Sequence, residues 1–211
     1  MGRNKQFELN QVLDCAMHEF WRKGYSATSI PTLEAQMGIS RQSLYDTFKS
    51  KRELFLRVLR HYHETVIVRN FSLIENSSSP KAGLCEYFRA RAKEALNNSD
   101  IKGCLVTNSI AELAQHDDQV RIQTSITLQH MKRVFKNTLA RAQSSNEIPE
   151  QLDINVTADF LLNNSQGLFV MSRMNLDKTA VDGIVDQIES LLTKNNDKPV
   201  GENKNETRNY C

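Results

Sequence analysis

Helical periodicity is the feature that most restricts how these 211 residues can fold. Apolar residues recur at three- and four-residue spacing along almost the whole chain, and no stretch alternates in the manner of a half-buried strand. Only 8 glycines and 4 prolines interrupt the pattern. The expected fold class is therefore all-α. Hydrophobic residues make up 39% of the chain and no apolar run approaches the ~20 residues that cross a bilayer, so no membrane partner is expected. The basic start, Met1 to Lys5, has no apolar stretch behind it that would serve as a secretory leader. Cysteines at 15, 85, 104 and 211 have neither zinc-site spacing nor the density of a stapled secreted domain, which points to a reducing cytoplasm.

Punctuation divides the pattern into about nine helices. The first is expected over Glu8 to Lys23, closed by Gly24. Thr28 and Ser29 offer capping hydroxyls to a short second helix containing Pro31, which Gly38 ends. Ser40 opens an equally short third helix from Arg41 to about Asp46. Ser50 and Glu53 have capping-box spacing and start a longer fourth helix expected to reach Asn70. Further helices are expected near 81–97, 103–115, 118–144, 153–174 and 177–193. Residues 195–211 hold too little apolar surface to offset ordering entropy, and a disordered tail is expected there.

Charge is distributed unevenly. Residues 1–70 carry 11 Lys and Arg against 7 Asp and Glu, while the remainder has a surplus of two acidic residues. A small basic head on a slightly acidic body suits a DNA-binding module joined to a domain that does not touch DNA. Within that head, two short helices separated by Gly38, Ile39 and Ser40 have helix-turn-helix spacing, in which the first helix braces the second against the major groove. Arg41 matches guanine and Gln42 matches adenine through paired hydrogen bonds, and Ser43 adds a small adaptable hydroxyl. Tyr45, Thr47 and Lys51 are placed for phosphates, as are Thr28 and Ser29 at the start of the second helix. Leu44 faces the bracing core.

The run from Gly24-Tyr-Ser-Ala-Thr-Ser-Ile through Met37-Gly-Ile-Ser-Arg-Gln-Ser-Leu-Tyr-Asp-Thr-Phe-Lys-Ser-Lys-Arg-Glu-Leu-Phe55 resembles the N-terminal domain of TetR/AcrR-type repressors. The resemblance covers roughly residues 8 to 56. It implies a nine-helix subunit, a homodimer through the last two helices, and a ligand pocket in the C-terminal domain. It also implies repression from a palindromic operator until a small-molecule or reactive inducer binds. The corresponding domains are 1–50 for DNA binding, 51–194 for sensing and dimerisation with 51–70 as connecting helix, and 195–211 as the tail.

The body offers residues for both tasks. Leu161, Leu168 and Met171, with Val181, Ile184, Val185 and Ile188, recur at helical spacing and would form a four-helix interface across a two-fold axis. Phe88, Leu105, Phe135 and Phe160 form an apolar stripe that serves either as plain core or as a sensor pocket. Cys104 lies at an expected helix N-terminus beside Lys102, a setting that raises thiol reactivity, although a small buried cysteine is equally a core filler. The Gly103-Cys-Leu segment resembles one TetR subgroup, some of whose members sense electrophiles or oxidants.

Neither a cofactor nor a metal is expected, since His61 and His63 fall on different helix faces and His116-Asp117-Asp118 reads as a solvated helix start. No glycine-rich phosphate loop, nucleophile elbow or His-Glu-x-x-His motif is present, so an enzyme is not expected. The competing reading is an all-helical adaptor whose basic head meets an acidic partner without sequence-specific DNA binding.

Overall fold

Polar caps fold this sequence into separate rods. The computed structural model describes residues 2–97, 103–174 and 177–194, with side chains from residue 9 onward. Among these are ten α-helices and no strand. They are α1 (Gly2–Lys23), α2 (Ile30–Met37), α3 (Arg41–Phe48), α4 (Lys51–Tyr62), α5 (Val68–Glu75), α6 (Pro80–Ala95), α7 (Leu105–Leu113), α8 (Asp118–Ser144), α9 (Ile154–Met171) and α10 (Lys178–Leu191). Side-chain oxygens of Ser29, Ser40, Ser50, Ser79, Asp117, Asp153 and Asp177 each accept a backbone N–H in the first turn that follows. Those donors have no partner inside the helix, and each cap contributes about 1 kcal/mol. The expected tail, 195–211, and Lys102 lie outside the described residues.

α4 and α5 are a single rod. A π turn over His63–Ile67 joins them, and the Thr65 hydroxyl donates to the His61 carbonyl at 2.7 Å. The connecting helix thus runs to Glu75 rather than Asn70, and nine rods result among the described residues. Nothing in the local sequence signals the π turn, which depends on hydrogen-bond register along the rod. α1 likewise begins at Gly2 rather than Glu8.

The rod runs between two aromatic clusters of one continuous core. In the head, Phe20 meets Phe55 edge-on at 4.9 Å, and Tyr25 lies 4.9 Å from the same ring. In the body, Phe135 packs 5.2 Å from Phe71 and stacks 5.9 Å from Phe88. Phe20, Phe55, Phe71, Phe88 and Phe135 are all fully enclosed. Burial of each such side chain contributes roughly 1.5–3 kcal/mol. Phe88, Leu105 and Phe135 therefore belong to the core, whereas Phe160 is 39% exposed and faces away from them.

The expected dimer residues are also redistributed. Leu161, Leu168, Val181, Val185 and Ile188 are buried inside the subunit, and only Met171 and Ile184 are partly exposed. Helical spacing identifies an apolar face without saying which neighbour covers it, and here the rest of the same subunit does. The apolar residues left outside on α9 are Val156, Phe160 and Val170, with Met174 just beyond its end. Gly167 lies on the same stripe, with open space where a Cβ would stand. No helix among the described residues is long and apolar enough to cross a membrane.

Candidate nucleic-acid interface

The third helix presents one polar face and one apolar edge. Leu44 and Phe48 are buried against the head, which leaves Arg41, Gln42, Ser43, Tyr45 and Thr47 exposed. α2 braces it from behind through buried Leu33 and Met37, and Gly38 makes the intervening turn at φ 65°. Only residues without a Cβ adopt that conformation at low cost.

Several side chains on this face already have partners. Arg41 lies over the Tyr45 ring at 5.8 Å. The Gln42 amide donates to Asp46 Oδ1 at 3.0 Å, and the Ser43 hydroxyl pairs with Ser40 Oγ at 3.1 Å. Lys49 closes the helix at φ 67°, an unfavourable conformation for a residue with a side chain, while its ammonium donates to the Asp46 carbonyl at 2.9 Å.

The phosphate-directed residues divide. Ser29 is exposed and caps α2, accepting from Thr32 N–H at 3.2 Å. Thr28 is fully buried, and its hydroxyl donates to the Gly24 carbonyl at 2.7 Å, which removes it from any phosphate. Lys51 lies 4.3 Å from the centre of the Tyr25 ring in the first turn of α4. Partial burial lowers its ammonium pKa, with the Glu112 charge pulling the other way.

Contacts between head and body come from residues that sequence spacing does not reveal. The Glu112 carboxylate, near the end of α7, accepts the backbone N–H groups of Tyr25 at 2.9 Å and Ser26 at 2.7 Å. Burial raises the Glu112 carboxyl, but the Ser26 and Tyr25 hydrogen bonds outweigh it and hold the pKa below its usual value. Gly24 stands at φ 82°, a conformation that strains any residue with a side chain, and a Cβ there would push on Glu112 Oε2 at 2.9 Å. Arg52 grips Asp117 with two hydrogen bonds of 2.6 and 2.8 Å. The Trp21 indole donates to the Gly103 carbonyl at 3.1 Å. Glu112 and Tyr25 are far apart in the chain, so no local pattern announces their pairing.

Cys104 is fully enclosed at the N-cap of α7, where the Tyr62 hydroxyl donates to its sulfur at 3.5 Å. Its side chain makes no capping hydrogen bond. Burial, first of all, pushes the Tyr62 hydroxyl pKa well above its usual value.

Comparison with known proteins places this geometry. The profile described as "Bacterial regulatory proteins, tetR family" matches residues 12–58, and the one described as "Tetracyclin repressor-like, C-terminal domain" matches residues 82–188. The chain is 30% identical to the uncharacterized HTH-type transcriptional regulator YezE of Bacillus subtilis (strain 168), over 91% of this chain and 100% of that one. It is also 30% identical to the HTH-type transcriptional repressor ComR of Escherichia coli (strain K12), over 82% of each. Its fold is similar to that of a cysteine mutant of the TetR family transcriptional regulator CifR, solved with 26-base-pair operator DNA. That match has a TM-score of 0.73 at 24% identity and covers 86% of this chain and 95% of the other. With one profile on the head, a second on the body and a relative matched over its full length, the chain belongs to the TetR family of bacterial regulatory proteins.

Proposed function

We propose that this chain is a repressor that binds a palindromic operator as a homodimer and is released by a small molecule. The observation that carries this reading is the first turn of α3, where Arg41, Gln42 and Ser43 stand exposed on a helix anchored by buried Leu44 and Phe48. Arg and Gln at that position are suited to guanine and adenine edges in the major groove. Tyr45, Thr47, Ser29 and Lys51 then take phosphates that fix the register. ComR and the HTH-type repressor DhaR of Mycobacterium sp. (strain GP1) are named as repressors, which supports the direction of control.

Dimerisation uses the outward face of α9, namely Val156, Phe160, Gly167, Val170 and Met174, with the partly exposed Met171 and Ile184 at its edge. The head, residues 1–50, reads DNA, while residues 51–194 sense and dimerise, in the cytoplasm. A non-covalent ligand suits the body better than a thiol reagent does, since Cys104 is enclosed beneath Tyr62 and a reagent must open the subunit to reach it.

Selection of bound duplexes from a random DNA library, repeated across salt concentrations, tests this function. A palindrome bound by two copies is expected, with log affinity falling by about 0.9 per phosphate contact for each log unit of salt. Weak binding indifferent to sequence would transfer the head to an adaptor role.

A further inference from the structure

A cavity of about 270 Å³ lies where head, rod and body meet. Trp21 enters it from α1, Tyr62 from the rod, Arg91 and Glu94 from α6, Phe169 from α9, and Gly103 from the approach to α7. A second cavity of about 250 Å³ lies beyond Arg91 and Asn70, which line both.

Arg91 is the unusual feature. Its side chain is only 12% exposed, and Nε is buried with no hydrogen-bond partner among the described residues. The guanidinium lies over the Tyr87 ring at 5.5 Å and over the Phe169 ring at 5.7 Å, two contacts that hold it in place. One terminal nitrogen, Nη2, donates to Glu94 Oε1 at 2.5 Å. The Glu94 side chain is 58% exposed and so stands at the rim.

An arginine edge formed by Nε and a terminal nitrogen matches both oxygens of a carboxylate. Glu94 takes one of those two donors, and the other is left buried without an acceptor, an arrangement that favours a better-fitting anion. The aromatic side chains of Trp21, Tyr62 and Phe169 in the lining suit an apolar aromatic body attached to that anion. We propose that this cavity binds a small planar organic carboxylate on the Nε and Nη2 edge of Arg91, displacing Glu94 into solvent.

The position gives such a ligand leverage. Trp21 donates to the Gly103 carbonyl, and a Cβ on Gly103 would stand 2.7 Å from the Phe169 carbonyl oxygen, so the wall has no slack. Gly103 leads directly into α7, whose Glu112 holds the turn between α1 and α2. A ligand that fits the cavity better when Trp21 and Gly103 separate will favour a displaced head. This step deepens the repressor reading and rests on it for the consequence, release of DNA.

The chain contains one tryptophan, so the emission of Trp21 reports on the cavity without a label. The full-length protein, free of DNA, is titrated with benzoate, cinnamate and 2-naphthoate and with their uncharged amides. A saturable change in emission is expected for at least one carboxylate, with its amide about tenfold weaker. Arg91→Gln should abolish that preference, and Glu94→Gln should tighten carboxylate binding, a gain that misfolding cannot produce. No saturable response, equal affinity for acid and amide, or an unchanged Glu94→Gln variant would overturn the proposal. The same protein is then tested on its selected duplex. Carboxylate binding by a chain that never binds DNA specifically would count against the repressor reading alone, and binding of both without mutual antagonism would overturn the coupling.

Discussion

At the scale of single residues, the recognition face is partly self-occupied, and that shapes what each substitution does. Arg41 is exposed and, among the described residues, lies over the Tyr45 ring, so it meets a guanine at little cost. Arg41→Ala should lose about 1–3 kcal/mol at the one base pair it reads and relax the selected sequence there, as measured by fluorescence anisotropy on single-base variants of the operator. Affinity equal on all variants before and after the substitution would remove Arg41 from base readout. Gln42 must first give up Asp46, and Lys51 must turn from the Tyr25 ring to reach a phosphate. The residue types on α3 and their fitness for base edges are readable directly from the sequence. The burial of Thr28 is not, because a hydroxyl two residues before a helix looks the same whether it faces solvent or the Gly24 carbonyl.

At the scale of elements, α7 acts as a strut between the cavity and the head. Its start follows Gly103, whose carbonyl accepts from the Trp21 indole, and near its end Glu112 holds the turn after α1. The contacts of Glu112 and Asp117 are expected to depend on pH in a defined direction. In the folded chain Glu112 is held below its unfolded value near 4.5, burial being outweighed by the Ser26 and Tyr25 hydrogen bonds. Asp117 is lowered as well, principally by its Arg52 hydrogen bond. Depressed carboxyls contribute stability that is complete above the unfolded pKa and is lost as pH falls through the folded one. Glu112→Gln should therefore flatten the acid limb of stability below about pH 4.5, in thermal melts run from about pH 3 to about pH 6. A variant with an unchanged acid limb would show that the contact does not support the fold. Helix positions were legible from caps and periodicity, with ends displaced by a few residues. The π turn in the long rod was not, since it depends on hydrogen-bond register along the rod and not on any residue pattern within it.

At the scale of the whole molecule, one group of exposed apolar side chains shares a face of α9, while others stand on α5 and α8. Val156, Val170 and Met174 are each more than half exposed, and Gly167 leaves room for close approach of another helix. Large adjoining apolar patches on a single subunit mark contact surfaces. Val170→Asp should yield a monomer in sedimentation velocity and weaken operator binding steeply, because each half-site then binds alone. Val185→Asp, by contrast, places a charge inside the subunit and should lower the melting temperature first. A Val170→Asp chain that still sediments as a dimer would move the interface elsewhere.

What the sequence by itself determined is local in origin. All-α class, helix order, the helix-turn-helix and the identity of its exposed residues all follow from caps, turns and periodicities that act within about one helical turn. Tertiary structure decided everything that depends on which face meets which neighbour. It turned Leu161, Leu168 and Val181 inward and left Val156 and Val170 outside, and it set Phe160 apart from Phe88 and Phe135. It also brought Glu112 to the turn after α1 and enclosed the Arg91 edge beside Trp21. Periodicity gives a helix an apolar stripe, but the partner of that stripe is chosen by long-range packing, which no short window of sequence contains.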